Sequence, residues 1–181
     1  LFTEDAEHII PPRKGRRHIL RLIRDILAFE PQHRGTNIAR ALEEVNRILK
    51  RRAIVVLVSD FLQGPDGKIP DPEGKSEVFK AHEPQADLVC FEIVDPRETV
   101  LPALGVLTLE DSETGEIVSL DTSSTAVRKT YAEINARRLT DFKRALARSK
   151  IDLLEIRTDK PFITPLESFS KDAQNANEKN F

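Results

Sequence analysis

Two oxygen-bearing side chains sit where they could do chemistry. Asp60 closes the stretch Arg51-Arg52-Ala53-Ile54-Val55-Val56-Leu57-Val58-Ser59-Asp60-Phe61, in which Ala53 to Val58 is apolar and largely β-branched. Such a run reads as a strand buried on both faces, as in a parallel sheet covered by helices. Ligands of open α/β sheets sit outside the carboxyl ends of the strands, so a functional carboxylate is expected at Asp60. Thr36 precedes an amphipathic stretch, Ile38 to about Lys50, that leads directly into this strand. In a right-handed crossover that helix runs antiparallel to its strand, which brings its N-terminus, and Thr36 with it, to the rim that carries Asp60. A hydroxyl and a carboxylate are hard ligands suited to Mg²⁺, which keeps several waters and takes few protein carboxylates. The same residues have commoner uses: Thr36 or Asn37 can cap the helix, and Asp60 can start a turn.

Most other chemistries find no support in the residue pattern. No glycine-rich fingerprint follows a strand, and no phosphate-cradling loop ends in Gly-Lys-Ser/Thr. Histidines 8, 18, 33 and 82 lack metal-ligand spacing. Cys90 lies within a buried-strand pattern and reads as a core residue rather than a nucleophile. No serine occupies a strained nucleophile turn. The net charge of −2 and pI near 6.2 argue against a chain devoted to neutralising nucleic-acid phosphates. No apolar run approaches the roughly 20 residues of a membrane span, and no signal peptide opens the chain. A single cysteine cannot form an internal disulfide, so a reducing, cytoplasmic setting is expected. The chain lacks methionine and starts at Leu1-Phe2-Thr3, which reads as a piece of a longer protein.

The elements that must position Thr36 and Asp60 follow from periodicity. Ala6 to Ile10 is expected as a short strand, and Pro11 to Gly15 as a turn. Arg16 to Phe29 is a helix with Ile19, Leu20, Ile23, Ile26 and Leu27 on one apolar stripe, ended by Pro31. The basic cluster Arg13, Lys14, Arg16 and Arg17 reads as solvated surface, with contact to an acidic partner as the alternative. Gln63 to Lys75 is a proline- and glycine-rich loop, and Glu77 to Glu83 at best a short helix. Asp87 to Val94 is a second strand ended by Asp95, a turn residue before Pro96. Leu104–Leu109 and Glu116–Asp121 form a hairpin, expected as an extension at the sheet edge. Ser123 or Ser124 caps a long helix to Arg148, with Val127, Tyr131, Ile134, Phe142 and Leu146 on its core face. Asp152 to Arg157 is the last strand, and Pro165 to about Lys171 a short helix. Residues 1–171 make one α/β domain with a mostly parallel sheet and one hairpin insertion, and 172–181 a polar tail.

Several stretches in order carry a family resemblance. Gly35-Thr36-Asn37-Ile38-Ala39-Arg40-Ala41-Leu42 and Val55-Val56-Leu57-Val58-Ser59-Asp60-Phe61 resemble the von Willebrand factor A-like domain of the bacterial family called domain of unknown function 58. Pro11 to Arg17, Val94-Asp95-Pro96-Arg97-Glu98 with Leu101-Pro102 and Gly105, and the hairpin residues Glu110-Asp111, Glu113-Thr114-Gly115 and Asp121-Thr122 extend the likeness over about residues 1–169. The resemblance implies a three-layer α/β/α, Rossmann-like fold and a metal-ion-dependent adhesion site. In it Thr36 takes the threonine role and Asp60 the second-aspartate role. The Asp-x-Ser-x-Ser part of such a site is not in this chain; its place would lie upstream of Leu1, with the first strand. The implied function is Mg²⁺-dependent protein binding without catalysis, a partner carboxylate completing the ion's shell, in association with a MoxR-type AAA+ ATPase. The competing expectation is a metal-dependent hydrolase or nucleotide-handling enzyme built on Asp60.

Overall fold

A computed structural model describes residues 1–51, 53–62, 86–110 and 115–169. The expected 63–75 loop, the 77–83 helix, turn residues 111–114 and the 172–181 tail lie outside the described residues. Helix α1 spans Arg16–Leu27 and α2 Ile38–Ile48, followed by strand β1 at Ala53–Ser59 and β2 at Ala86–Val94. A one-turn helix α3 (Pro96–Thr99) leads to the hairpin strands β3 (Val106–Glu110) and β4 (Ile117–Asp121). The long helix α4 (Thr125–Arg148), strand β5 (Asp152–Arg157) and a last helix, α5, over 163–169 complete the order.

β1, β2 and β5 form one parallel sheet with β2 in the centre. The register aligns Leu57 with Cys90 and Cys90 with Leu153, and two residues on it aligns Ser59 with Glu92 and Glu92 with Glu155. Both rows face the same side of the sheet, because side chains repeat every second residue. Ile38 and Leu42 of α2 and Phe142 and Leu146 of α4 join Leu57, Leu88 and Cys90 in one buried cluster on that side. Ser124 caps α4 through its hydroxyl, and the Asn37 side chain caps α2 by accepting from the Arg40 N–H at 3.0 Å.

The sequence reading needs five corrections. β1 is not buried on both faces: Ile54, Val56 and Val58 are exposed, opposite the covered face. On that second side Phe169 of α5 packs edge-on against Phe91 of β2 at 5.9 Å. The apolar stripe of α1 is also exposed; the helix rests on the molecule through its other face, where His18, Leu22 and Asp25 are half-buried. Residues 6–10 form no strand, only a single bridge between Phe2 and Ala6. The hairpin is a separate two-stranded sheet rather than an extension of the parallel one. Ile134, expected on the core face of α4, is exposed as well, because the core cluster takes only the C-terminal half of that helix.

Candidate functional site

Asp60 stands one residue beyond β1, and its side chain is exposed at the carboxyl rim of the sheet. The backbone turns sharply there. Phe61 adopts a left-handed conformation, φ 53°, that a bulky residue tolerates only under constraint. The constraint is its ring, which is buried and lies 4.6 Å from the Phe142 ring, centroid to centroid. Two side chains close the turn: Ser59 Oγ accepts the Phe61 N–H at 3.0 Å, and Asp60 Oδ1 accepts the Leu62 N–H at 3.0 Å. The buried phenylalanine thus fixes the turn that points Asp60 outward.

Thr36 lies in the loop before α2 and is half-buried. The N-terminal segment holds that loop in place. Asn37 N–H donates to the Thr3 carbonyl at 2.8 Å, and the Glu4 side chain lies against Gly35: an added Cβ would come within 2.6 Å of Glu4 Oε1, so that side chain would have to move aside. The Glu7 carboxylate is the hub. It accepts the Thr3 hydroxyl, the Gln32 N–H at 2.8 Å and the His33 N–H at 3.1 Å, and lies 3.0 Å from His33 Nδ1. These hydrogen bonds, led by that of Thr3, hold the Glu7 carboxyl down at about 2.

Only four residues, 49–52, separate α2 from β1, so the helix runs back along its strand and its N-terminus returns to the carboxyl rim. Ile38, two residues after Thr36, and Phe61, one after Asp60, belong to the same buried cluster. The two predicted site residues therefore flank one packed unit. Asp95 caps α3 as a turn residue: its Oδ1 accepts the Arg97 N–H at 2.8 Å, while Glu98 Oε2 accepts the Asp95 N–H at 3.4 Å. Partial burial raises the Glu98 carboxyl above its ordinary value, and the nearby charges of Asp60 and Asp95 add to the rise. The rim is thus an acidic neighbourhood with Asp60 as its most exposed member. Among the described residues no group of three or more His, Cys, Asp or Glu side chains could hold a metal ion, so Asp60 and Thr36 would supply at most part of a shell.

Three groups escaped the sequence reading. Glu7 and Thr3 gave no signal, because their partners lie up to 26 residues away in the chain. Glu92 did give one, an acid inside the apolar run Leu88-Val89-Cys90-Phe91-Glu92-Ile93-Val94. It is 4% exposed, and its Oε2 is buried without a hydrogen-bond partner among the described residues. Burial, then the Glu155 carboxylate, raise its pKa, against Lys143 and Arg138 of α4. Cys90 beside it is wholly buried, and that burial pushes its thiol up to about 12, so it serves as core.

A family model described as "Protein of unknown function DUF58" matches residues 1–141. Uncharacterised proteins of Mycobacterium tuberculosis and Mycobacterium bovis are each 27% identical over 162 residues, 88% of this chain and 48% of theirs. An uncharacterised protein of Mycobacterium avium is 29% identical over 164 residues, 90% of this chain and 92% of its own length. The chain thus spans about half the length of the first two relatives. No solved structure matches. Among the described residues no helix is long and apolar enough to cross a membrane.

Proposed function

We propose, for a chain that belongs to the DUF58 family, that it is a von Willebrand A-like module that binds a protein partner through Mg²⁺ at the Thr36–Asp60 rim. The observation that carries this reading is the turn at β1: a buried, left-handed Phe61 holds an exposed aspartate at the carboxyl end of a parallel strand. Thr36 and Asp60 are hard oxygen donors, and a Mg²⁺ ion content with one or two protein carboxylates would take its remaining ligands from water and from a partner. The ion's chemistry would be that of a bridge between two chains. Asp60 would hold it, Glu7 and Thr3 would keep the Thr36 loop in place, and Ser59 would steady the turn. A MoxR-type AAA+ ATPase is the partner class that the family resemblance suggests.

The hydrolase alternative has less support. A hydrolytic site needs a second acid or base in hydrogen-bond reach of Asp60. The Asp60 carboxylate is bonded to the Leu62 N–H and the Ser59 hydroxyl, and Glu98 is bonded to the Asp95 N–H.

Calorimetric titration of Mg²⁺ tests the proposal. A saturating heat is expected from the unaltered protein, a smaller one from Thr36→Ala and none from Asp60→Ala. Equal heats from the protein and Asp60→Ala would remove Asp60 from any metal site.

A further inference from the structure

We propose that the cavity between α3, the hairpin and α4 is a docking pocket for a partner-protein segment that presents an apolar side chain beside a lysine or arginine. It deepens the protein-binding reading and rests on it for the partner being a protein, but it needs no metal.

The cavity has a volume of about 750 Å³ and is walled mainly by Val100, Leu101, Leu104, Leu107, Leu109 and Tyr131. Its origin lies in the hairpin. The register pairs Leu107 with Leu120 and Leu109 with Val118, which gathers four apolar side chains on one face of a two-stranded sheet. Such a sheet is marginal unless that face is covered. Here the covering is partial. Thr122, wholly buried, clamps the base of the hairpin by accepting the Leu104 N–H at 3.0 Å and donating to the Gly105 carbonyl at 2.6 Å, and Arg128 of α4 donates to the Thr122 carbonyl at 2.6 Å. Away from the clamp the fit fails: Val100, Leu104, Leu109 and Val118 are all exposed. A contiguous exposed apolar surface around a concavity marks a binding site on a soluble domain.

Charge selects the occupant. Asp95 and Glu98 stand at the lip, and the charges of Asp60 and Asp95 both act on the half-buried Glu98 carboxylate. Of the charged side chains that line the cavity, two are carboxylates, Asp95 and Glu98, and one is a guanidinium, Arg97, so the lining carries a surplus of negative charge. A basic side chain next to the inserted apolar group relieves the surplus, whereas an acidic one adds to it.

Tyr131 makes the pocket self-reporting: it is the chain's one tyrosine, and there is no tryptophan. A synthetic amphipathic peptide of leucine and lysine, free of aromatic residues, should change the Tyr131 emission saturably in the presence of EDTA. Replacing its lysines by glutamate should weaken binding by about tenfold or more. Leu104→Glu and Val100→Glu change exposed pocket residues, and each should weaken it by at least about tenfold while leaving the thermal midpoint of unfolding close to that of the unaltered protein. Glu98→Gln should cost about two- to fivefold. Binding heat without an emission change, equal binding of both peptides, indifference to both glutamate variants, or no binding at all would overturn the proposal. So would an emission change that follows protein concentration without peptide, which would assign the pocket to a second copy of the chain. Because EDTA is present throughout, failure of the Mg²⁺ site leaves this result standing, and failure here leaves the Mg²⁺ titration untouched.

Discussion

On one face of β1, Leu57 is 6% exposed and packs with Ile38, Leu42 and Phe142; on the other, Ile54 is 69% exposed. From Ala53 to Val58 the residues alternate between the two faces and are all apolar. What separates them is the neighbour: two helices cover the first face, whereas on the second the contact described for α5 is with Phe91 of β2. Helix α1 repeats the contrast. Its apolar stripe is turned to solvent, while a half-buried Asp25 bonded to Arg21 and Arg24 lies on its inner side. Apolar area is worth about 25 cal/mol per Å² only where another surface removes it from water. Stability should therefore be concentrated in the α2–sheet–α4 unit.

The largest test of that difference is Phe142→Ala, which would empty the covered side under the Asp60 turn. It should lower unfolding stability by about 3–5 kcal/mol in urea titrations. A loss no greater than that of a surface substitution would mean the covered face is not the core. The next effect is smaller and opposite in sign. Glu92, a carboxyl raised by burial within the same unit, favours the fold below its ordinary value of 4.5, and this benefit is lost as pH rises through its raised value. Glu92→Gln should therefore stabilise the protein at neutral pH by about 1 kcal/mol, with little gain in acid. Equal stability at both pH values would place Glu92 in contact with water.

Glu7 titrates the other way. Its carboxyl is depressed from 4.5 to about 2, so its contribution is fully present above 4.5 and disappears as pH falls toward 2. Glu7→Gln should be destabilised at neutral pH and should approach the unaltered protein near the acid end, as read from thermal midpoints across the range. Unchanged acid sensitivity would mean the N-terminal segment does not hold the Thr36 loop. The smallest effect belongs to the open face: Ile54→Ser should shift stability by no more than about 0.5 kcal/mol. A larger loss would show that something covers β1 in solution.

Much of this architecture is legible in the chain. The α2 and β1 periods, the acid-terminated β2, the α4 cap at Ser124 and the β3–β4 pairing are local signals, and each appears within a residue or two of its expected place. Asp60 at a strand end and Thr36 before a helix are legible for the same reason. The Glu7 hub, the Phe61–Phe142 stack that fixes the Asp60 turn, and the pocket under the hairpin join residues far apart in sequence, and spacing carries no trace of them.

Residue order alone settled most of the helices and strands, though not residues 6–10 or the one-turn α3, since hydrophobic period, caps and breakers act within a few residues. Which apolar face goes inward was decided only by the tertiary arrangement. The stripe of α1 and the two faces of β1 are equally oily in sequence, and burial is a property of the surface opposite, which neither stripe nor strand encodes.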